Sequence, residues 1–115
     1  MIRANLAGAA GFDYTGETFG PFMGSYGSAT VYTYPVIPTC GANVVTIKSH
    51  DTQTAGSYAW AVYDEDDAEL ATINISGGTF SDVAVTTNGA KLLTIKQKSG
   101  AYTGTAISVD AEITS

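Results

Sequence analysis

A two-residue alternation of apolar and polar side chains runs through the chain from residue 43 onward. Successive side chains of a β-strand point to opposite faces of a sheet, so this period predicts strands with one buried face. In SYAWAVYD both faces are apolar, which predicts a central strand covered on both sides. The residues predicted to face inward in the other runs are Val45, Ile47, Ala71, Ile73, Ile75, Ile107, Val109, Ala111 and Ile113.

Short turn signals separate these runs, among them AGS at 55–57, SGGT at 76–79 and SGAYTG at 99–104. Six or seven short strands at roughly 8–12-residue spacing are typical of an antiparallel β-sandwich. We therefore predict an all-β antiparallel β-sandwich, either jelly-roll or immunoglobulin-like, since the two topologies alternate alike.

A fourth turn signal, TNGA at 87–90, predicts a β-hairpin. A two-residue loop at Asn88-Gly89 would turn the apolar faces of the two strands to opposite sides. A three-residue loop with a bulge instead aligns Val83 and Val85 with Leu93 and Ile95, and register therefore favours the longer loop.

The first part of the chain has a different composition, because glycine recurs every few positions and aromatic residues are frequent. Only TVYTYPVIP at 30–38 resembles a strand, and Pro35 and Pro38 restrict it to a sheet edge or an extended connection. We predict an extended N-terminal arm or loop over 1–29 and a β-sandwich domain over 30–115.

The charge balance excludes several classes of partner. The net charge is -6 with only five basic residues, so a nucleic-acid or anionic membrane surface is not expected to bind. Met1 is interpreted as a true start without a secretory signal, and no stretch is apolar and long enough for a transmembrane helix. The single cysteine, Cys40, rules out an intramolecular disulfide and a cysteine-rich zinc site.

The densest charge lies in YDEDDAEL, where Asp64, Asp66 and Asp67 are candidate calcium ligands. The run lacks the spacing of an EF-hand loop, and a turn between two strands is polar simply because it faces water. A solvated hairpin tip is therefore the favoured interpretation, and no metal or other cofactor is predicted.

Ser49, His50 and Asp51 are consecutive, but they do not predict a catalytic triad. Neighbouring strand residues point to opposite faces and cannot align a nucleophile with its base. With one histidine and one cysteine in the chain, few catalytic constellations remain, and we predict that the protein is not an enzyme.

The aromatic residues of the predicted arm favour an assembly role. Rings on an arm cannot bury themselves, and aromatic side chains are enriched at protein interfaces. We predict homo-oligomerisation or attachment to a larger lattice, with these partner-binding anchors: Phe12, Tyr14, Phe19, Phe22 and Tyr26.

The start MIRANLAG, the Thr/Gly/Ala-rich strands such as GGTFSDVAVTTNGAKLLTIKQKSG and the closing GTAISVDAEITS resemble the small β-sandwich decoration or cement proteins of tailed-bacteriophage capsids. The resemblance covers residues 43–115 as a general pattern and carries no site residue. It implies a virion protein that binds the outer surface of the major capsid protein shell, often as a trimer, and bridges neighbouring subunits.

The alternative hypothesis is a carbohydrate-binding or adhesion module. It shares the β-sandwich and requires an exposed aromatic residue for sugar stacking. Tyr102, in the SGAYTG turn, is the glycan-binding candidate.

Overall fold

The computed structural model describes residues 13–26, 32–99 and 105–115, which form nine β-strands and no helix. The predicted all-β class is confirmed. The strands are β1 (Thr18–Tyr26), β2 (Tyr32–Thr33), β3 (Val36–Pro38), β4 (Val44–Ser49), β5 (Ser57–Tyr63), β6 (Glu69–Ser76), β7 (Val83–Thr86), β8 (Leu92–Ser99) and β9 (Thr105–Ile113).

The strands form two antiparallel sheets that pack together in a β-sandwich-like arrangement. The five-stranded sheet has the order β2-β1-β9-β4-β7, and the four-stranded sheet has the order β3-β8-β5-β6. The chain crosses repeatedly from one sheet to the other, and only β1–β2 and β5–β6 are consecutive strands that pair. Neighbouring strands are therefore mostly distant in sequence.

The core lies between the sheets, where the alternation predicted it. Val45 and Ile47 of β4 and the four predicted inward residues of β9 are buried. Opposite them, Trp60 of β5 is fully buried, and β5 lies between β8 and β6 as the predicted central strand. Among the residues predicted to face inward, Ala71, near the start of β6, and Val83 of β7 are only partly buried.

The predicted hairpin over 83–95 is wrong, because β7 pairs with β4 and β8 pairs with β3 and β5. The turn itself is tight: Asn88 and Gly89 have φ values of 53° and 80°, and the Ala90 N–H donates to the Thr87 carbonyl at 3.0 Å. The strands on its two sides then diverge into different sheets. Val85, Leu93 and Ile95 are buried in the core as predicted, but β7 and β8 belong to different sheets and do not pair with each other.

Two long-range hydrogen bonds explain this divergence. The Thr87 hydroxyl donates to the Ala42 carbonyl at 2.6 Å, on the side of the five-stranded sheet. The Thr39 hydroxyl, just after edge strand β3 of the four-stranded sheet, donates to the Ala90 carbonyl at 2.6 Å. These bonds hold the two ends of the turn against different sheets, and they come from residues that a local pattern does not include.

The prediction of an extended arm over 1–29 is wrong for Thr18–Tyr26, which forms β1 beside β9. The register shifts between Phe19 and Phe22, so that both pair with inward-facing residues of β9 although an odd number of positions separates them. This bulge hides the two-residue period that would have indicated a strand. Residues 1–12 and 27–29 of the predicted arm lie outside the described part of the chain.

The predicted edge location of the proline-containing segment is confirmed. It forms two short strands, β2 at the edge of the five-stranded sheet and β3 at the edge of the four-stranded sheet. Pro35 lies between them, and its carbonyl accepts a hydrogen bond from the Ile95 N–H at 3.3 Å. A proline costs least at such edges because it lacks the N–H that a central strand must donate.

Candidate interaction surface

The outer face of the four-stranded sheet carries three of the four large apolar side chains that are exposed among the described residues. They are Tyr34, Val36 and Leu92, which are 39%, 52% and 42% exposed and which we call the apolar patch. Val36 pairs with Thr94 and Pro38 pairs with Leu92 across β3 and β8, so the two aliphatic side chains stand on the same side of neighbouring strands.

Adjacent residues of the same strands face the other way. Ile37 and Leu93 pair with each other and are completely buried in the core. In each of the two pairs of adjacent residues, one aliphatic side chain faces the core and its neighbour faces solvent. The sequence contained this signal in the dipeptides Val36-Ile37 and Leu92-Leu93, because two adjacent apolar residues on a strand cannot share a face.

The Lys96 ammonium contacts Tyr34, the aromatic residue of the apolar patch. Its ammonium lies 5.3 Å from the centre of the Tyr34 ring and 5.6 Å from that of Tyr63, distances at which a cation is attracted to a ring face. The same ammonium donates to Asp67 Oδ1 at 3.0 Å. Tyr34 is therefore fixed against the sheet beside Val36.

The three calcium candidates lie in the turn between β5 and β6, the predicted hairpin tip. Asp64 Oδ1 accepts hydrogen bonds from the N–H groups of Asp66 and Ala68, at 2.8 and 2.9 Å. Asp66 is exposed, and Asp67 points to Lys96. Over the ranges that the structure describes, no three His, Cys, Asp or Glu side chains are grouped to hold a metal ion.

Strand β8 and the residue before it tie this hairpin to the sheet. The Lys91 N–H donates to Glu65 Oε2 at 2.9 Å, and the Lys98 ammonium donates to Glu69 Oε2 at 2.7 Å. The bond from Lys98 lowers the pKa of the Glu69 carboxyl, and the same bond raises the pKa of Lys98. The acidic side chains of the hairpin thus bind β8 or the residue before it: Asp67 and Glu69 bind through lysine ammonium groups, and Glu65 binds through a backbone N–H.

The outer face of the five-stranded sheet is instead covered by polar pairs. The hydroxyls of Thr46 and Thr114 are 2.6 Å apart, and the Lys48 ammonium lies 3.6 Å from a carboxylate oxygen of Glu112. His50 Nδ1 lies 2.9 and 3.0 Å from the two carboxylate oxygens of Asp110. This hydrogen bond raises the pKa of the His50 imidazole.

Gln53, in the loop after β4, binds the backbone of β9 in the same sheet. Its side chain is buried, its Oε1 accepts from the Ser108 N–H at 2.9 Å, and its Nε2 donates to the Ser108 carbonyl at 2.8 Å. The amide group thereby binds the backbone of β9 on both sides of Ser108, whose carbonyl also accepts from the His50 N–H at 3.0 Å. Sequence reasoning did not identify Gln53, since nothing in its neighbourhood distinguishes it from a loop residue.

The predicted anchors of the arm are dispersed. Tyr14 and Phe19 are buried in the core, with ring centres 5.8 Å apart in an edge-to-face arrangement, so the prediction that they bind a partner is wrong. Phe22 is partly buried against the same core. Phe12, the side chain of Tyr26 and the glycan candidate Tyr102 lie outside the part of the chain that is described.

The consecutive Ser49, His50 and Asp51 do not converge. The Ser49 hydroxyl donates to the Asp51 carbonyl at 2.8 Å, whereas His50 is directed to Asp110 on another strand.

Comparison with known proteins gives no relative: no family model, no curated protein and no solved structure matches the chain. No helix within the described ranges has the length and apolar character needed to cross a membrane.

Proposed function

We propose that this protein is a non-enzymatic structural protein that binds another protein through the apolar patch on its four-stranded sheet. The observation that carries the proposal is the clustering of Tyr34, Val36 and Leu92 on one face. We further propose that the partner is the outer surface of a tailed-phage capsid, which the protein decorates and stabilises as a homo-oligomer, with a trimer as the expected state.

The composition of the apolar patch supports protein binding. Interface centres are typically apolar and aromatic with a polar rim, and the patch has the ion pair of Lys96 and Asp67 beside Tyr34. Removing apolar surface from water contributes roughly 25 cal/mol per Å² to the free energy of binding, so a partner that covers the apolar patch is stabilised there. Tyr34 is already ordered by Lys96, so less side-chain entropy is lost when a partner covers it.

The β3 edge of the sheet, which lies beside the apolar patch, is a poorer place for a partner than the face of the sheet. Edge strand β3 is only three residues long, Val36–Pro38, and ends in a proline that has no N–H to donate. Short edge strands with proline resist the addition of a further strand. A partner is therefore expected to lie on the side chains of the apolar patch.

Binding to a capsid can be measured by co-sedimentation of the full chain with purified shells that lack decoration. The wild-type protein should pellet with the shells at a fixed stoichiometry. The double variant Val36→Ser, Leu92→Ser should bind roughly tenfold or more weakly, because it removes two apolar contacts at the centre of the surface.

A matched control uses Met23→Ser, which removes an apolar side chain that is 62% exposed on β1 of the five-stranded sheet. This variant should bind shells as the wild type does. Absence of binding by the wild type would refute the capsid role. Equal weakening by the Met23 variant and the double variant would refute the assignment of the binding face.

A further inference from the structure

The carboxylate of Asp110 lies between two strands that do not pair with each other. On one side it meets His50, just after the end of β4, through the two short contacts to Nδ1. On the other side it meets β1, because a Cβ placed on Gly20 would overlap Asp110 Oδ1 and lie 3.1 Å from the Asp110 Cα. The backbone of β1 thus rests directly on this side chain.

Strand β1 is held in its sheet mainly by β9. It pairs with β9 along its length, but β2 pairs only with its last two residues, Ser25 and Tyr26. Gly20 has a φ of 143°, which a residue with a side chain rarely adopts, and it lies in the bulge where the ladder is irregular. The bulge is therefore the segment of β1 that β9 holds least through backbone pairing.

Charged side chains near His50 lie on its own loop, on β4 and on β9. Asp51, on its own loop, has a carboxylate oxygen 3.9 Å from His50 Nε2. Lys48 pairs with Asp110 in the β4–β9 register, but its ammonium is directed to Glu112 at 3.6 Å and Asp82 at 3.9 Å. Gly20 and its β1 neighbours Phe19 and Pro21 carry no charge, so protonated His50 is the cation in direct contact with Asp110.

We propose that His50 and Asp110 form a pH-sensitive lock on strand β1. Protonated His50 fixes the Asp110 carboxylate in the position against which the bulge of β1 packs. When His50 loses its proton, this carboxylate loses its cationic partner, and β1 separates from β9 more often.

The direction of the effect follows from the titration of His50. Asp110 raises the pKa of the imidazole above its ordinary value of 6.5. The stabilising contribution is therefore complete below pH 6.5 and is lost as the pH rises through the raised pKa of the folded protein. His50 is the only histidine of the chain, and carboxylates remain ionised above about pH 5.5, so the effect can be isolated between about pH 5.5 and 7.5.

Amide hydrogen exchange of the full chain, followed by NMR and corrected for intrinsic exchange rates, tests the lock. Protection of the β1 amides should fall about two- to fivefold from pH 5.5 to 7.5, the range expected for one exposed ion pair. Protection of the central strand β5 should stay constant. The His50→Gln variant should show no pH dependence in β1.

The imidazole titration gives a second readout. The measured pKa of His50 should fall toward its ordinary value in the isosteric variant Asp110→Asn and less in Asp51→Asn, whose carboxylate is farther away. Constant β1 protection in the wild type would overturn the lock. An equal loss in β1 and β5 would also overturn it, because His50 would then affect global stability instead of β1.

Discussion

The outer face of the five-stranded sheet carries pairs of polar side chains and, on β1, the single exposed Met23, whereas that of the four-stranded sheet leaves three large apolar side chains clustered in solvent. On the first face, His50 binds Asp110 and Gln53 binds Ser108. On the second, Tyr34, Val36 and Leu92 cluster together. The strands of both sheets alternate between apolar and polar side chains, so the alternation alone does not determine whether an outer face stabilises the fold or is available to a partner.

The comparison separates side chains that stabilise the fold from side chains available to a partner. The polar pairs of the five-stranded sheet bind each other within the chain, and removing one member of a pair leaves the other without that bond. Groups of the apolar patch have apolar area that the chain itself does not bury. The first kind of substitution should therefore lower the free energy of unfolding, and the second should lower binding.

The largest difference in the free energy of unfolding is expected between the variants Leu93→Ala and Leu92→Ala. Leu93 is fully buried, and its truncation should lower the free energy of unfolding by about 2–5 kcal/mol. Leu92, its neighbour on the outer face, should change it by less than about 0.5 kcal/mol when truncated. Urea unfolding of both variants measures the difference, and similar losses would contradict the assignment of Leu92 to a binding face.

Gln53→Ala should have the next largest effect, a loss of about 1–3 kcal/mol, because the buried Ser108 N–H loses its acceptor and the Ser108 carbonyl keeps only the bond from the His50 N–H. Gln53→Glu keeps the size of the side chain but cannot donate to the Ser108 carbonyl, so it should also destabilise the protein in urea unfolding at neutral pH. Stability equal to wild type in both variants would show that the Gln53 side chain does not stabilise β9.

Asp64→Ala should lower the free energy of unfolding by about 1 kcal/mol, since two backbone N–H groups of the hairpin lose their acceptor. The control Asp66→Ala removes an exposed neighbour and should leave stability within about 0.5 kcal/mol of wild type. Thermal unfolding with calcium and with chelator adds a check. A melting temperature that rises with calcium would indicate that the acidic side chains bind the ion.

Lys96→Met should lower the free energy of unfolding by less than about 1 kcal/mol, because the ion pair with Asp67 is exposed to solvent. Its effect should appear at Tyr34 instead, whose ring loses the ammonium that holds it. NMR of the Tyr34 ring should show increased motion, and binding to shells should weaken modestly. A loss of stability as large as that of Gln53→Ala would contradict this division between the faces.

The sequence predicted the parts of the fold that depend on local alternation. Val45, Ile47 and the inward residues of β9 are buried as their period required. The sequence did not predict β1, because the bulge at Gly20 breaks its period, or the separation of β7 from β8, because Thr39 and Thr87 act from a distance. Long-range hydrogen bonds and bulges leave no periodic signal.

The candidate surface was missed for a related reason. The frequent aromatic residues of the first thirty positions predicted the partner-binding anchors there, but Tyr14 and Phe19 are buried in the core of this chain. The apolar patch depends on which of two adjacent apolar residues faces the core, and this is decided by the pairing of β3 with β8. Only three-dimensional pairing brings Val36 and Leu92, far apart in sequence, onto one face.

Hydroxyl-radical footprinting of the full chain, free and bound to shells, tests the central claim most directly. Mass spectrometry gives the oxidation of each side chain, and each residue is compared with itself in the two states. We predict that Tyr34, Val36 and Leu92 are protected in the complex while Met23 is oxidised at an unchanged rate. Protection of Met23 with no change at the other three residues would contradict the assignment of the apolar patch as the binding surface.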